Sequence, residues 1–280
     1  MTDPWAERDF LRGTQYKTDA NLAARQSIYA YQHPRIDLQA RVLDLAAPAS
    51  SETILDVGCG NGTYLAELAR RGFAGRVLGV DLSLGMLAAA RQRLSQIGAA
   101  GAAGARDGSS EPGVPIVGLA NADATALPLG DGAADLALAP HMLYHVPDPA
   151  DALRELRRVT RRGGRVVIVL NGAGHLRQLR VAVAAARGDD AKAMGERVTL
   201  DNGESLARSV FHTVARHDFV AELRVPALGP IADYVRSMSG TSQEADPDHV
   251  VETVMTTFPK TVDGHYTITS HSGCLICQVG

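Results

Sequence analysis

The amino-acid sequence predicts an α/β fold, with a seven-stranded, mostly parallel sheet, helices on both faces and an antiparallel last strand. Between Thr53 and Leu170, short apolar runs alternate with segments of helical period, and this alternation is typical of a parallel sheet. After Asn171 the alternation stops, and two later apolar segments predict a strand pair at one edge of the sheet. A helical segment precedes the alternating region.

The N-terminal residues 1–48 are predicted to be helical. Ala20–Tyr31 contains neither glycine nor proline, and Pro34 opens a second helix whose apolar residues recur at near-helical spacing. Strands follow at Thr53–Val57, Arg76–Asp81, Pro115–Ala120, Ala134–Ala139 and Arg165–Leu170. The helices between them are predicted at Thr63–Arg71, Ser83–Ile97 and Pro149–Thr160. The glycine- and alanine-rich residues 98–113 are expected to form a surface insertion.

Helices and two strands are predicted beyond Asn171. The helices are His175–Ala186, Gly203–Val210, Ile231–Met238 and Asp248–Phe258, and the strands are Phe211–Val225, with a kink, and His265–Val279. All elements are expected to belong to one domain, residues 1–280. Its parts are the helical segment 1–48, a core at 50–171, a helical insertion at 172–210, and residues 211–280, which complete the sheet with inserted helices.

Composition excludes several classes of protein. The 280 residues are 45% hydrophobic with a net charge of −3, which suits a globular protein with a sizeable core. No stretch approaches the roughly 20 apolar residues of a membrane-spanning helix. Residues 1–7 resemble no signal peptide, and three cysteines are too few for a disulfide framework. We therefore expect a cytoplasmic protein with no membrane partner, and the arginine pairs interleaved with acids disfavour nucleic acid.

The strongest local signal is the segment from Ile54 to Thr63, where a buried strand leads into glycines at 58, 60 and 62 and then a helix. Glycine lets the backbone approach a ligand, and the amino end of a helix suits a carboxylate or phosphate. Thr63 stands where dinucleotide-binding loops carry their third glycine, so the pattern departs from theirs. Asp81 ends the next strand, where an acid can accept both hydroxyls of a ribose. The segment predicts a nucleoside-type ligand.

Four motifs in this order resemble the class I S-adenosylmethionine-dependent methyltransferases, in particular the group that acts on small molecules. They are D-V-G-C-G-N-G at 56–62, V-D-L-S at 80–83, A-D-A-T-A-L-P at 122–128 and H-M-L-Y-H-V-P-D at 141–148. The resemblance covers about residues 50–171. It implies a Rossmann-like fold with S-adenosyl-L-methionine as the cofactor.

The resemblance implies roles for residues in the first two motifs. Gly58 and Gly60 would pass the methionine moiety of the cofactor, and Asp56 would support their loop. Asp81 would bind the ribose hydroxyls.

Residues around the adenine follow from the resemblance in the same way. Leu82 and Met86 would border the ring, Asp123 would accept a hydrogen bond from its amine, and the Ala124 N–H would face a ring nitrogen. Two alternatives stay open, because Asp123 could only form the turn before Thr125 and Met86 could only pack in the core.

Two histidines follow the fourth strand, at the edge of the sheet where ligands bind in open α/β folds. His141 is nearer to the strand end and is the first candidate for a general base or a group that orients the acceptor. His145 is the second candidate, with backbone hydrogen bonding as an equal alternative. The two are four residues apart, but no acid or third ligand accompanies them, so no metal site is predicted.

The resemblance also implies that the N-terminal helix folds over the cofactor as a lid. Arg25 and Tyr29 are four residues apart and are expected to share a helix face. We expect Arg25 or Tyr16 to contact the cofactor carboxylate and Tyr29 to face the acceptor. The alternative is a helix that its tyrosines merely pack.

The cysteines near the end of the chain, Cys274 and Cys277, have His265 and His271 nearby, which raises the question of a metal or redox site. Residues three apart on a strand point to opposite faces, so we expect the two thiols to diverge. They are interpreted as small apolar side chains, and so is Cys59 in the glycine loop.

Together these features predict an enzyme that methylates a small molecule at oxygen or nitrogen, in secondary metabolism. No Asn-Pro-Pro-Tyr motif follows the fourth strand, and Ala139-Pro140-His141 stands there instead, which leans toward oxygen. The alternatives are a methyltransferase of peptides or ribosomal RNA and a non-catalytic cofactor-binding protein. We expect a monomer or a homodimer whose flanking segments select the acceptor.

Overall fold

The computed structural model describes residues 7–11, 16–104, 116–188, 197–237, 247–262 and 264–280. In this part of the chain the strands are β1 Gln32–His33, β2 Thr53–Val57, β3 Arg76–Asp81, β4 Ile116–Asn121, β5 Ala134–Pro140, β6 Thr160–Asn171, β7 Thr213–Val225 and β8 Tyr266–Gln278. The helices are α1 Arg8–Phe10, α2 Ala20–Ser27, α3 Leu38–Ala46, α4 Thr63–Arg70, α5 Leu84–Gly104, α6 Pro149–Val159, α7 Arg177–Arg187, α8 Leu200–Arg208, α9 Gly229–Ser237 and α10 Pro247–Thr257. None of these helices has the length and apolar character that crossing a bilayer requires.

The strands form one sheet in the order β1-β7-β8-β6-β5-β2-β3-β4. Strands β6, β5, β2, β3 and β4 are parallel, whereas β8 runs antiparallel to both β6 and β7. This confirms the Rossmann-like α/β fold with antiparallel strands at one edge. The prediction of seven strands was one short, because β1 is only two residues long and pairs with Glu222 and Leu223 of β7. So short a strand has no periodicity to detect.

Apolar side chains cover both faces of the sheet. On one face α6 packs over the parallel strands and α8 over β6, β7 and β8, and on the other face α3, α4 and α5 cover the sheet. Cys277 belongs to the first of these clusters and Cys274 to the second, as the expectation of diverging thiols requires. A third cluster, built from α7, α9, α10 and the ends of β7 and β8, contains Ile28.

Several predicted boundaries were wrong for local reasons. Helix α3 begins at Leu38 rather than at Pro34, because the Asp37 carboxylate caps it by accepting from the Ala40 N–H. Because α3 packs in the core beside α4, it belongs to the helical layer rather than to a lid. Helix α5 continues to Gly104, into the expected surface insertion, through a stretch rich in alanine, a strong helix former. The remainder of that insertion lies outside the described residues.

The antiparallel edge also differs in detail from the prediction. Strand β7 has no kink, since it pairs with β8 in unbroken register from Thr213 to Val225. Strand β6 begins at Thr160, five residues before the predicted start, because Thr160 pairs with Ala134 across an irregularity in the ladder. Helix α7 begins only at Arg177, which leaves His175 in the loop after β6.

Candidate functional site

The carboxyl ends of the parallel strands open into a cavity of about 210 Å³. Predicted site residues that line it are Tyr16, Gly58, Gly60, Asp81, Leu82, Met86, Asp123, Ala124, His141 and His145. The predicted residues Arg25, Tyr29 and Asp56 are not among the lining residues. Residues 7–11 and 16–31, which we call the lid, contribute Arg8, Leu11, Tyr16, Leu22 and Gln26 to the lining.

The glycine loop exposes its backbone to this cavity. Gly58 has a φ of 70°, and its N–H donates to the Val80 carbonyl at 2.7 Å. A Cβ atom on Gly58 would lie 2.6 Å from the Cβ of Met142, so the segment after β5 packs directly on the loop. A Cβ atom on Gly60 would enter open space, since among the described residues only a methyl group of Leu22 lies within 4 Å, at 3.7 Å. The loop therefore offers its backbone to a ligand beneath α2.

Polar groups around the loop are buried and have no hydrogen-bond partner among the described residues. They are both carboxyl oxygens of Asp56, Nδ2 of Asn61 and Oη of Tyr64. Burial, with a smaller contribution from the charge of Asp81, raises the pKa of Asp56 to about 8. Buried polar groups are normally paired, so these atoms mark a place for a polar ligand. The ammonium and carboxylate of the methionine moiety supply both kinds of partner, and the residues fit the cofactor.

Asp81 ends β3 and joins the glycine loop to the start of α5. Its Oδ2 accepts from the Gly60 N–H at 2.9 Å, and its Oδ1 accepts from the Ser83 N–H at 2.8 Å. Nδ2 of Asn121 donates to the Asp81 and Leu82 carbonyls and holds this turn in place. Burial raises the pKa of Asp81, and the two N–H bonds oppose that shift. The two bonds thus fix the carboxylate at the cavity wall.

Asp123 forms the turn after β4 and also faces the cavity. Its Oδ1 accepts from both the N–H and the Oγ1 of Thr125, at 2.8 and 2.7 Å, so the turn-forming alternative is present. Its Oδ2 pairs with Arg8 at 2.6 Å. An ionised carboxylate has about four acceptor positions, so turn formation does not prevent a further hydrogen bond to a ligand.

His141 comes directly after β5, as predicted, and takes a left-handed conformation with a φ of 53°. Its backbone N–H donates to the Val169 carbonyl at 2.9 Å, which ties the turn to β6. A non-glycine residue in this conformation costs about 1–3 kcal/mol, and residues strained in this way cluster at functional sites. Burial lowers the pKa of His141 to about 4, so its imidazole is neutral at pH 7.

His145 contacts the lid. Its Nε2 lies 3.0 Å from the hydroxyl of Tyr16, and the two rings meet edge to face. The guanidinium of Arg25 lies over the Tyr16 ring, 5.4 Å from its centroid. Ser83 Oγ donates to the Tyr16 carbonyl at 2.6 Å. Tyr16 therefore joins the start of α5 to the segment after β5, and Arg25 contacts it from outside the lining.

Tyr29 ties the other end of the lid to the loop after β6. Its hydroxyl lies 2.9 Å from Nε2 of His175, whose Nδ1 accepts from the His271 N–H at 3.1 Å. The neutral ring therefore carries its hydrogen on Nε2 and donates it to Tyr29. Burial, reinforced by His141, lowers the pKa of His175 to about 3. Because α2 ends at Ser27, Tyr29 and Arg25 do not share an α-helical face, contrary to expectation.

Sequence reasoning missed several lining residues, among them Arg8, Gln26, Gln39, Tyr64 and Tyr144. Tyr144 stands inside the motif at 141–148, and this position was a usable signal. Arg8 had none, since only the tertiary fold brings it to Asp123. Within the described ranges, no group of three or more His, Cys, Asp or Glu side chains is placed to hold a metal ion.

Comparison with known proteins agrees with this geometry. Residues 55–168 match the family described as a methyltransferase domain. A demethylmenaquinone methyltransferase of Clavibacter sepedonicus is 37% identical over 122 residues, which are 44% of this chain and 42% of that protein. An aklanonic acid methyltransferase of Streptomyces sp. strain C5 is 26% identical over 161 residues, 56% of this chain and 66% of that protein. The matches to two other curated relatives span 32% and 43% of the length of those proteins, which is less than half, as in the Clavibacter protein.

A solved structure shows the same fold. A phosphoethanolamine N-methyltransferase of Haemonchus contortus, in complex with S-adenosyl-L-methionine, has a TM-score of 0.59 at 20% identity, over 98% of this chain and 60% of that one. The matched domain contains all four motifs, at 56–62, 80–83, 122–128 and 141–148. Because domain, motifs and fold agree, residues 55–168 are a methyltransferase domain of the class I type, which uses S-adenosyl-L-methionine as its cofactor.

Proposed function

We propose that this protein transfers the methyl group of S-adenosyl-L-methionine to a small molecule, at oxygen or nitrogen, in secondary metabolism. The observation that carries the proposal is a single cavity that joins the glycine loop, Asp81 and Asp123 to His141. The bound cofactor supplies an electrophilic methyl group, so the protein has to bind the acceptor, orient it toward that methyl group and exclude water. Residues outside the matched domain 55–168 are proposed to select the acceptor.

The cofactor-binding roles are proposed from the motifs and from the residues that line the cavity. Gly58 and Gly60 are proposed to carry the methionine end, and Asp56, which is buried and outside the lining, supports their loop. Asp81 accepts from the ribose. Asp123 accepts from the adenine amine through Oδ2, the oxygen that Thr125 does not use, while the Ala124 N–H faces a ring nitrogen and Leu82 and Met86 border the ring.

His141 is proposed to accept the proton that an acceptor hydroxyl loses as it is methylated. With a pKa of about 4 its imidazole is neutral at pH 7, but it is too weak a base to ionise an alcohol beforehand. A hydroxyl becomes strongly acidic once its oxygen forms a new bond to carbon, and a neutral imidazole can then take its proton. This chemistry favours an oxygen acceptor. His145, which contacts Tyr16, is proposed to position the lid over the acceptor.

Two relatives support a small acceptor, since they are named as methyltransferases of aklanonic acid and of demethylmenaquinone. The lid supports it too, because Leu22 lies directly above the glycine loop. The test is transfer of labelled methyl groups to a panel of phenols, quinols and amines, with a peptide and ribosomal RNA as further arms. Label in the peptide or RNA alone, or no binding of S-adenosylhomocysteine, would contradict the proposal.

The role of His141 is tested with H141Q. We expect the transfer rate to an active hydroxyl acceptor to fall about 10²- to 10⁴-fold, with little change in the affinity for S-adenosylhomocysteine. The matched control is H212Q, because His212 is exposed and lies outside the cavity lining. In the wild type the rate should stay level as the pH falls through 6.5 and drop only as the imidazole becomes protonated near pH 4. An inflection near pH 6.5 that H141Q abolishes would contradict the proposal that His141 is a buried neutral base.

A further inference from the structure

Arg8 reaches the adenine end of the cavity from the lid. Its guanidinium pairs with Oδ2 of Asp123 at 2.6 Å, and both residues line the cavity. The contact joins α1 to the turn after β4, two places that are far apart in sequence. Among the described residues neither side chain has a second ionic partner. Arg8 therefore pairs with the same carboxylate, that of Asp123, which is proposed to bind the adenine amine.

The hydrogen bonds of Asp123 leave room for a ligand beside Arg8. Both acceptor positions of Oδ1 are used by Thr125, through its N–H and its hydroxyl. Oδ2 takes Arg8 and keeps a second acceptor position. An amine on the six-membered ring of a purine can donate to that position. The guanidinium and the adenine amine can thus bind the same oxygen at once.

We propose that Arg8 is a positioning residue of the cofactor site, which latches the lid at the adenine end through its ion pair with Asp123. This inference rests on the proposed function, since Asp123 can recognise adenine only if the protein binds the cofactor. The pair holds Oδ2 in place as an acceptor, and it holds α1 across this end of the cavity. Loss of the guanidinium frees α1 and speeds the departure of an adenosyl ligand.

Other contacts keep the rest of the lid seated when this pair is broken. Ser83 Oγ donates to the Tyr16 carbonyl, and the Tyr16 hydroxyl contacts His145, which also lines the cavity. The lid is therefore anchored at three points along the cavity, of which Arg8 holds the first. Arg8 is about half exposed, so its replacement removes a contact without opening the core.

The test measures the dissociation of S-adenosylhomocysteine from the full chain by stopped flow, with the emission of Trp5 as the reporter. Trp5 is the one tryptophan of the sequence and precedes Arg8 by three residues. An exposed ion pair changes an equilibrium constant by a few-fold, so R8A should release the ligand roughly two- to five-fold faster. R8K should fall between R8A and the wild type. Raising the salt from about 0.05 M to about 0.5 M should speed the wild type and leave R8A almost unchanged.

Two further variants test the route of the effect. R154A is the matched control, because Arg154 is similarly exposed, pairs with Asp151 on α6 and lies outside the cavity lining. It should release the ligand at the wild-type rate. In D123N the amide oxygen stays with the donors of Thr125, so an amide NH2 faces Arg8 and the ion pair is lost. Adding R8A to D123N should then change the release rate no further.

The outcomes separate this inference from the proposed function. A wild type that fails to bind S-adenosylhomocysteine contradicts the proposed function, and the latch falls with it. A wild type that binds, beside an R8A variant with the same release rate and salt dependence, overturns the latch alone. An R8A effect of full size in the D123N background overturns it as well, because the arginine would then act without the carboxylate.

Discussion

Asp56 is completely buried, and neither of its carboxyl oxygens has a hydrogen-bond partner in the described part of the chain. Burial, with the charge of Asp81 as the smaller cause, raises its pKa to about 8, whereas an ordinary aspartate has a pKa of about 3.9. An unpaired buried carboxyl destabilises a fold, so its presence beside the glycine loop fits a site whose partner is a ligand. This carboxyl also makes the stability of the free protein depend on pH.

We expect D56N to flatten that pH dependence. Between about pH 4 and pH 8 the native protein holds a proton on Asp56 that the unfolded chain releases, so the free wild type loses stability as the pH rises through this window. The variant has no such proton to hold. Urea unfolding at several pH values measures the difference, and D233N, at an exposed aspartate, is the control. Equal slopes in D56N and the wild type would refute the assignment.

Helix α2, the middle part of the lid, contains no buried residue, whereas Leu11 and Ile28 on either side of it are buried. Polar contacts of Arg8, Tyr16 and Tyr29 with residues of the core add to this attachment. An element with few buried apolar contacts opens at a low free-energy cost. Helix α2 can therefore move aside for ligand exchange while the sheet stays folded.

Gly85 offers a test of how the lid is seated. A Cβ atom on this residue would collide with the carbonyl of Lys17, so the lid backbone lies directly on the start of α5. We expect G85A to weaken S-adenosylhomocysteine binding about ten-fold through displacement of the lid, a loss of roughly 1.4 kcal/mol. The stability of the fold should hold or rise, because alanine favours a helix over glycine by roughly 1 kcal/mol.

Calorimetric titration and thermal unfolding together check this prediction. The matched control is G229A, because Gly229 is the first residue of α9 and a Cβ atom there would meet open space. An unchanged affinity in G85A would show that the lid does not need this seat.

The N-terminal layer is joined to the rest of the molecule by Arg165. From β6 its guanidinium donates to both carboxylate oxygens of Glu52, at 2.8 and 2.9 Å, and to the carbonyls of Ala46 and Ala47. This side chain thus connects the end of α3 and the start of β2 to the middle of the sheet. Hydrogen bonds from Arg165 lower the pKa of Glu52.

We expect R165M to destabilise the whole molecule by about 2–3 kcal/mol, because Glu52, mostly buried, loses its partner. Cofactor binding should persist in the folded variant, since Arg165 lies outside the cavity lining. Urea unfolding measures the loss, and R154M removes an exposed pair with an expected cost below about 1 kcal/mol. The double variant R165M/E52Q should recover part of the stability. Equal midpoints for R165M and the wild type would contradict the role of this pair.

Local sequence patterns were enough for the parallel half of the sheet and for the wall of the cavity. A buried strand that ends in a glycine turn and an acid that closes the next strand depend on neighbours in the chain, so Gly58 and Asp81 could be placed in advance. His141 could be placed as well, because it directly follows β5. Its neutral state could not, because burial lowers its pKa and burial is set by the packing of the whole molecule.

The lid depended on the tertiary structure. Nothing near Arg8 indicates Asp123, and nothing near Tyr29 indicates His175, because these contacts join segments that lie far apart in sequence. The same holds for the two-residue strand β1, which exists only through its pairing with β7. Short-range periodicity and turn chemistry are written into consecutive residues and can be read from them. Contacts between distant segments leave no local pattern, so only the folded chain shows how the lid closes over the cavity.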